Sequence, residues 1–192
     1  MHSIEPRAMD KTPCNSKKQW YVLRVTYQRE LIAQEKLRDL GIDSFVPVTR
    51  ERIIGRSGRQ EWKRKAALHN YIFVHSCREK IDEIKRYRIP WLRYMISPNR
   101  EKGRDIMIVE ERQMENFIAI AGNEDERLIY LSPDEINLTT GDRVRVVGGA
   151  FQGAEGIFIK LQGKREKRVV VKIDGIAAVA TTAIPRTLVE KL

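Results

Sequence analysis

The chain has 192 residues, of which 42% are hydrophobic, and it carries a formal net charge of +10. This length suits one or two domains, and the basic excess favours phosphate backbones, anionic membranes or acidic proteins as partners. The composition excludes several classes, because no apolar run reaches membrane-spanning length and no signal-peptide core precedes the first strand. The two cysteines, Cys14 and Cys77, lie in unrelated contexts and predict neither a disulfide scaffold nor a zinc site. We therefore expect a cytosolic protein.

The charge is distributed in blocks along the chain. Two basic blocks, residues 20–121 and 137–192, are separated by residues 122–136, which contain five carboxylates and one arginine. Such alternation indicates two domains joined by a linker. Residues 1–19 show no periodicity and are predicted to be a disordered tail.

Residues 20–121 are predicted to alternate strands and helices. Aromatic and β-branched runs predict strands, and apolar residues at a 3.6-residue period predict helices. The predicted strands begin at Trp20, Ser44, Tyr71, Trp91 and Ile106, and the predicted helices cover residues 29–40, 78–88 and 110–120. The basic segment 50–65 reads as an exposed hairpin. This order predicts an α+β fold of the split βαβ type, with two helices on one face of an antiparallel sheet.

Residues 137–192 contain only strand and turn signals. Five short strands separated by glycines predict a small β-barrel. The most specific local pattern is a glycine-rich string in which glycine permits positive φ and close strand crossing. Its key positions are Gly141, Asp142, Val144, Val146, Gly149, Phe151, Gly153 and Gly156. We expect Phe151 to close the mouth of the barrel between its first two strands.

The glycine-rich string resembles the KOW motif of NusG-type transcription factors and of some ribosomal proteins. The first domain resembles the NusG N-terminal (NGN) domain at Trp20–Tyr21, Val46–Pro47, Asn70–Tyr71 and Phe73. The two resemblances together cover residues 20–192. Residues 33–37 and Asn70–Tyr71 are more similar to specialised paralogs of the RfaH/UpxY antiterminator type than to general NusG. The resemblance implies a monomeric transcription elongation and antitermination factor without enzymatic activity or cofactor.

The resemblance also implies how such a factor binds RNA polymerase. The NGN domain bridges the polymerase cleft, with an apolar patch on the clamp helices of the largest subunit and another surface facing the second-largest subunit. The matched patch positions are Leu68, Tyr71, Phe73 and Tyr94. Aromatic anchors are typical interface hot spots, but Phe73 and Tyr94 equally suit a core. The chain has Leu68–His69 where the family usually has Phe-Pro.

Specialised paralogs also contact the non-template DNA strand. The positions that match this surface are Thr26, Arg29, Lys36, Arg86 and Arg88. Arginine and lysine there would contact phosphates, and arginine would also read a base. The competing interpretation is a solvated helix face. The basic segment 50–65 matches a variable hairpin of the family, near upstream DNA, and contains one aromatic residue, Trp62.

The second domain departs from general NusG at Asp174. General NusG has a phenylalanine there, which helps bind ribosomal protein S10 or the termination factor Rho. Because a carboxylate at an apolar contact is costly, we expect weak or absent Rho binding. The same cost counts against S10, the other candidate partner.

Catalytic patterns are weak in this sequence. The three histidines form no cluster with metal-ligand spacing, and Ser57 lacks the strand–turn–helix of a nucleophile elbow. We therefore expect no catalytic site and no metal. Two alternatives remain open, a ribosome-associated or other RNA-binding KOW protein, and an unrelated basic enzyme that binds phosphate-rich substrates.

Overall fold

A computed structural model describes the fold over residues 14–54, 58–97, 105–125, 127–132 and 141–192. Of the predicted disordered tail, residues 1–13 lie outside the described residues. No helix in the described part of the chain combines the length and apolarity that crossing a bilayer requires.

The described residues of the first domain form seven strands and three helices. The strands are β1 (Gln19–Arg24), β2 (Asp43–Phe45), β3 (Val48–Ile54), β4 (Gln60–Ala66), β5 (Tyr71–Ser76), β6 (Arg93–Tyr94) and β7 (Ile108–Val109). The helices are α1 (Glu30–Asp39), α2 (Arg78–Tyr87) and α3 (Glu111–Ala121). The predicted helices are therefore present to within two residues, whereas the strand predicted from Ser44 is divided at Pro47, which has no amide hydrogen to donate to a ladder.

The main sheet of this domain has the order β2-β5-β1-β6, and β7 also pairs with β1, all antiparallel. Alternate side chains of a strand point to opposite faces. On one face Leu23 and Ile72 share a core with Ala33 and Leu37 of α1 and with α2. On the other face Phe73 and its neighbours share a core with α3. The sheet is thus covered on both sides, with the two split-βαβ helices together on one of them.

Where the structure describes the second domain, it is a six-stranded antiparallel sheet. Its strands are β8 (Ile129–Leu131), β9 (Asp142–Val146), β10 (Glu155–Lys160), β11 (Lys167–Ile173), β12 (Ala177–Ala180) and β13 (Val189–Lys191), with a short 3-10 helix at Arg186–Leu188. The spatial order is β13-β9-β10-β11-β12-β8. The five predicted strands are all present. The sixth, β8, comes from the acidic stretch that the charge pattern assigns to a linker, and it lies at the edge of the sheet beside β12.

Helix α3 joins the two sheets. Its residues Met114, Phe117 and Ile120 are wholly buried, and they belong to one apolar cluster that also includes Phe73 and the inward-facing residues of β11 and β12, such as Val171. An amphipathic helix normally buries one stripe, whereas this helix packs against both domains. The position of the second sheet is therefore coupled to the face of the first sheet that α3 covers.

The two cysteines form a disulfide, which corrects the expectation that they are unrelated. Cys14 and Cys77 are 63 positions apart, with Cα atoms 5.6 Å from each other. The bond fastens residues 14–16 to the first turn of α2. There the Ser16 hydroxyl donates to a carboxylate oxygen of Glu79 at 2.7 Å and accepts the backbone N–H of Arg78 at 3.3 Å. The pairing was not predictable from spacing, because it depends on where the tail returns to the fold.

Candidate functional site

Three of the four predicted polymerase-contact residues lie together. Leu68, Tyr71 and Phe73 belong to the apolar cluster on the α3 side of the main sheet. Tyr71 and Phe73 are two positions apart on β5 and so point to the same face. Asn70 comes directly before this strand and has a φ of +70°. The Asn70 N–H donates to the buried carboxylate of Glu30 at 2.6 Å.

Within this group the exposure is uneven. Phe73 is wholly buried, with its ring centroid 5.7 Å from that of Phe117 on α3. Tyr71 and Leu68 are half-buried at the margin of the same cluster. The accessible part of this group is therefore formed by Tyr71 and Leu68, and Phe73 lies beneath it in the core.

Tyr94 lies on the opposite face of the sheet. Its register partner is Leu23, which belongs to the core beneath α1 and α2. The Lys85 ammonium lies 3.7 Å from the centre of the Tyr94 ring, and burial raises the pKa of the Tyr94 hydroxyl well above its usual range. The structure does not bring Tyr94 together with Tyr71.

Two of the predicted DNA-contact residues are in direct contact in the loop between β1 and α1. The Arg29 guanidinium donates to the Thr26 hydroxyl and to the Thr26 carbonyl, both at 3.1 Å. The same guanidinium lies 4.4 Å from the ring centre of Trp91 and 5.4 Å from that of Tyr27. Arg29 is therefore held in position between two aromatic rings rather than free in solvent.

The other three predicted DNA contacts are exposed on helices. Lys36 lies on the outer side of α1, and Arg86 and Arg88 lie at the C-terminal end of α2. Because Trp91 follows Arg88 closely along the chain and contacts Arg29, the end of α2 and the Thr26–Arg29 loop are neighbours. Lys36 is further along α1, two helical turns beyond Arg29.

Sequence reasoning did not single out Tyr27 or Trp91. Tyr27 is 85% exposed, and it and Gln28 have φ values of +60° and +52°. Left-handed backbone at residues other than glycine is costly and tends to cluster at functional sites. The signal available in the sequence was Tyr27, an aromatic residue two positions before a predicted phosphate contact, which suits a stacking platform. Trp91 is distant along the chain and is brought to Arg29 by the fold.

The glycine-rich string forms the turn between β9 and β10. Gly153 has a φ of +88° and its N–H donates to the Val146 carbonyl at 2.8 Å. Gly156 lies against β11, where a Cβ atom would approach the Val170 carbonyl oxygen to 2.5 Å. Val144, Val146 and Phe151 are buried. Of the remaining positions of the string, Gly141 and Gly149 are exposed and Asp142 pairs with Lys191 at 2.7 Å.

A charged cluster ties α3 to the second sheet. The Glu155 side chain is only 9% exposed and accepts hydrogen bonds from Arg112 of α3 at 2.7 Å and from Arg145 at 2.6 Å. Its backbone N–H donates to the amide oxygen of Asn116 at 2.9 Å. The hydrogen bonds from Arg145 and Arg112 hold the pKa of the Glu155 carboxyl below its usual range.

This cluster predicts an acid-sensitive contact between the domains. A carboxyl whose pKa is lowered on folding stabilises the protein above its unfolded pKa, about 4.3, and that stabilisation is lost as the pH falls through the folded pKa. We expect Glu155→Gln to lower the free energy of unfolding by about 1 kcal/mol at neutral pH and to have little effect in acid. Urea unfolding across this pH range measures it. Glu190→Gln, an exposed carboxylate of β13, is the control, and an equal loss at both pH extremes would contradict the role of the Glu155 charge.

Asp174 lies in the turn between β11 and β12 and is exposed. Its carboxylate pairs with Lys172 at 2.9 Å and accepts a hydrogen bond of 3.5 Å from the Gln113 amide of α3. A partner that covered the Asp174 carboxylate would therefore bind close to α3.

No group of three metal-ligating side chains occurs in the described ranges. A family model described as "NusG: Transcription termination factor nusG" matches residues 18–137, which span the first domain and β8. No curated protein matches the chain.

Proposed function

This chain belongs to the NusG family, and from that membership we propose that it is a transcription elongation factor that binds RNA polymerase and suppresses pausing or termination on particular operons. NusG proteins are transcription factors rather than enzymes, and they bind RNA polymerase in general. The specialised antiterminator role rests on the resemblance of residues 33–37 and 70–71 to paralogs of the RfaH/UpxY type.

The proposed polymerase contact is supported mainly by the accessible margin of the apolar cluster on the α3 side of the main sheet. Tyr71 and Leu68 are half-buried and continuous with a wholly buried Phe73. An aromatic residue held by a rigid strand and supported from beneath loses little entropy on binding, which is typical of an interface anchor. We assign this margin to the clamp helices of the largest subunit. Tyr94 lies on the other face, beside Lys85, and is not part of this margin.

The non-template strand is assigned to the loop after β1 and the end of α2. Arg29 is held between Tyr27 and Trp91, and Arg86 and Arg88 are exposed nearby. This combination of cations and aromatic rings suits unpaired DNA, because phosphates pair with the cations and bases stack on the rings. Lys36 would extend the track along α1.

The second domain is proposed to be a KOW barrel that tethers a further partner. The buried Phe151 and the turn at Gly153 are consistent with a KOW motif. The exposed Asp174 carboxylate supports weak or absent Rho binding, as an antiterminator requires, and ribosomal protein S10 is the candidate that remains.

The polymerase assignment is tested with Tyr71→Ala. We expect the variant to bind core polymerase, free of nucleic acid, about tenfold more weakly, because truncation removes an interface anchor. Tyr87→Ala removes an equally large, 69% exposed ring from the end of α2 and is expected to bind as the unmodified chain does. Unchanged binding by Tyr71→Ala, or sedimentation of the unmodified chain with ribosomes instead of polymerase, would contradict the proposal.

A further inference from the structure

The hairpin of β3 and β4 extends away from both cores. Among the described strands, β3 and β4 pair only with each other, in a two-stranded sheet separate from the other two. Seven residues per strand give a length of about 24 Å. At its base Val48 and Ala66 are buried in the core beneath α1 and α2, whereas the described residues from Arg50 outward are exposed apart from Ile53. The outer part therefore contributes little to the fold.

The register divides the charges of this hairpin between two faces. Directly opposed residues share a face, and the opposed pairs are Arg50 with Arg64, Arg52 with Trp62, Thr49 with Lys65 and Glu51 with Lys63. One face thus presents three arginines and a tryptophan with no carboxylate, and we call it the arginine face. The other face mixes signs, and there Lys65 pairs with Glu51 at 2.6 Å.

The arginine face carries a stacked pair. The Arg52 guanidinium lies 4.7 Å from the ring centre of Trp62, and Trp62 is 51% exposed. A tryptophan on an exposed hairpin has no core to stabilise, and arginine and tryptophan together offer a flat surface on which bases of any sequence can stack.

The other two arginines already hold an anion. Glu124, which follows α3, lies 3.7 Å from Arg50, and its other carboxylate oxygen lies 2.5 Å from Arg64. Glu124 has a φ of +50°. A cavity of about 410 Å³ between the hairpin and the end of α3 is lined by Arg50, Trp62, Asn123, Glu124 and Asp125, and it is large enough for a nucleobase. The Asp125 carboxylate is itself paired with Arg127 at 2.7 Å. Glu124 is therefore placed where a phosphate would sit.

We infer that the arginine face is a second binding site for single-stranded nucleic acid, separate from the surface around Arg29. Phosphates pair with Arg50 and Arg64 in competition with Glu124, and a base stacks on the Arg52–Trp62 pair. A single strand fits better than a duplex for two reasons. The paired bases of a duplex expose no flat face to Trp62, and a hairpin inserted into a duplex groove would bring the carboxylates of its opposite face close to the phosphates. The site would take either displaced DNA or transcript, which share this chemistry.

The test measures binding of the full chain to labelled oligonucleotides of about 12 nucleotides, as single-stranded DNA, as RNA of the same sequence and as duplex DNA, by fluorescence anisotropy. We expect single strands to bind more tightly than the duplex. Trp62→Ala should weaken single-strand binding about tenfold, and Trp62→Phe should retain most of it, because stacking needs an aromatic ring. The ratio of RNA affinity to DNA affinity shows whether the site prefers the transcript or the displaced DNA strand.

The two faces supply a charge-matched control. Arg52→Gln with Arg64→Gln removes two charges from the arginine face, and Lys63→Gln with Lys65→Gln removes two from the opposite face of the same hairpin. We expect only the first pair to reduce affinity strongly and to flatten the salt dependence, by about 0.7 in slope for each phosphate that is no longer neutralised. Equal reductions from both pairs would mean nonspecific attraction and would overturn the site.

Glu124 gives a test in the opposite direction. Glu124→Gln releases Arg50 and Arg64 and is expected to raise single-strand affinity a few-fold. The inference would be overturned if Glu124→Gln gave no gain in affinity and Trp62→Ala left binding unchanged. It would also be overturned if Arg29→Gln alone abolished single-strand binding. Binding of these hairpin variants to nucleic-acid-free polymerase should equal that of the unmodified chain, so that failure of this site and failure of the polymerase assignment are distinguishable.

Discussion

Replacing Phe73 by alanine is expected to lower the free energy of unfolding by about 4 kcal/mol. Phe73 is wholly buried, and its ring packs against Phe117 of α3. Large-to-small substitutions of buried phenylalanine lose the transfer free energy of the ring and leave a cavity. Urea unfolding should show a lower midpoint with an unchanged slope. The substitution should also loosen α3, and through it the packing against β11 and β12.

The control for this prediction is Tyr87→Ala, which truncates an exposed ring and should change stability by less than about 0.5 kcal/mol. Phe73→Ala with an unchanged midpoint and lost polymerase binding would contradict the core assignment and make Phe73 a surface contact. We expect Phe73→Ala to lose both stability and polymerase binding, so its loss of binding cannot be attributed to the interface. Tyr71→Ala therefore reports on the interface itself.

Reducing the disulfide is expected to lower the free energy of unfolding by about 3 kcal/mol. The bond joins Cys14 and Cys77 across 63 positions, and a cross-link between distant positions restricts the unfolded chain. Reduction should also release Ser16 from the start of α2, where its hydroxyl accepts the Arg78 N–H. Thermal unfolding with and without reductant measures the change.

Cys14→Ser is the matched control because Cys14 is exposed whereas Cys77 is wholly buried. This variant should have the lower stability under both conditions and should not respond to reductant. The disulfide would be contradicted if the denatured, unreduced protein had two thiols that react with a thiol reagent and if reductant had no effect on the stability of the unmodified chain.

The candidate site was predicted unevenly. The nucleic-acid candidates Arg29, Arg86 and Arg88 are exposed or held at the surface as expected, because long charged side chains are rarely buried. The apolar candidates were harder, since an aromatic residue on a strand serves a core and an interface equally well. Only the strand register separates Tyr94 from Tyr71, and only the position of α3 buries Phe73 and leaves Tyr71 at the margin.

The hairpin shows the same limit. Its seven basic side chains over residues 50–65 are evident in the sequence, but their division into an arginine face and a mixed face depends on which residues of β3 and β4 oppose each other. A shift of one position would place Trp62 with the carboxylates. Glu124 is distant along the chain, and its contact with Arg50 and Arg64 follows from where α3 ends.

Local patterns were enough to predict the order of strands and helices, the blocks of charge and the glycine turn around Gly153, because these depend on periodicity and backbone freedom within short segments. They did not predict the pairing of Cys14 with Cys77, the addition of β8 to the second sheet or the burial of α3 between two sheets. Faces, edges and disulfides are set by contacts between segments that are far apart in the chain, and short-range patterns carry no information about such contacts.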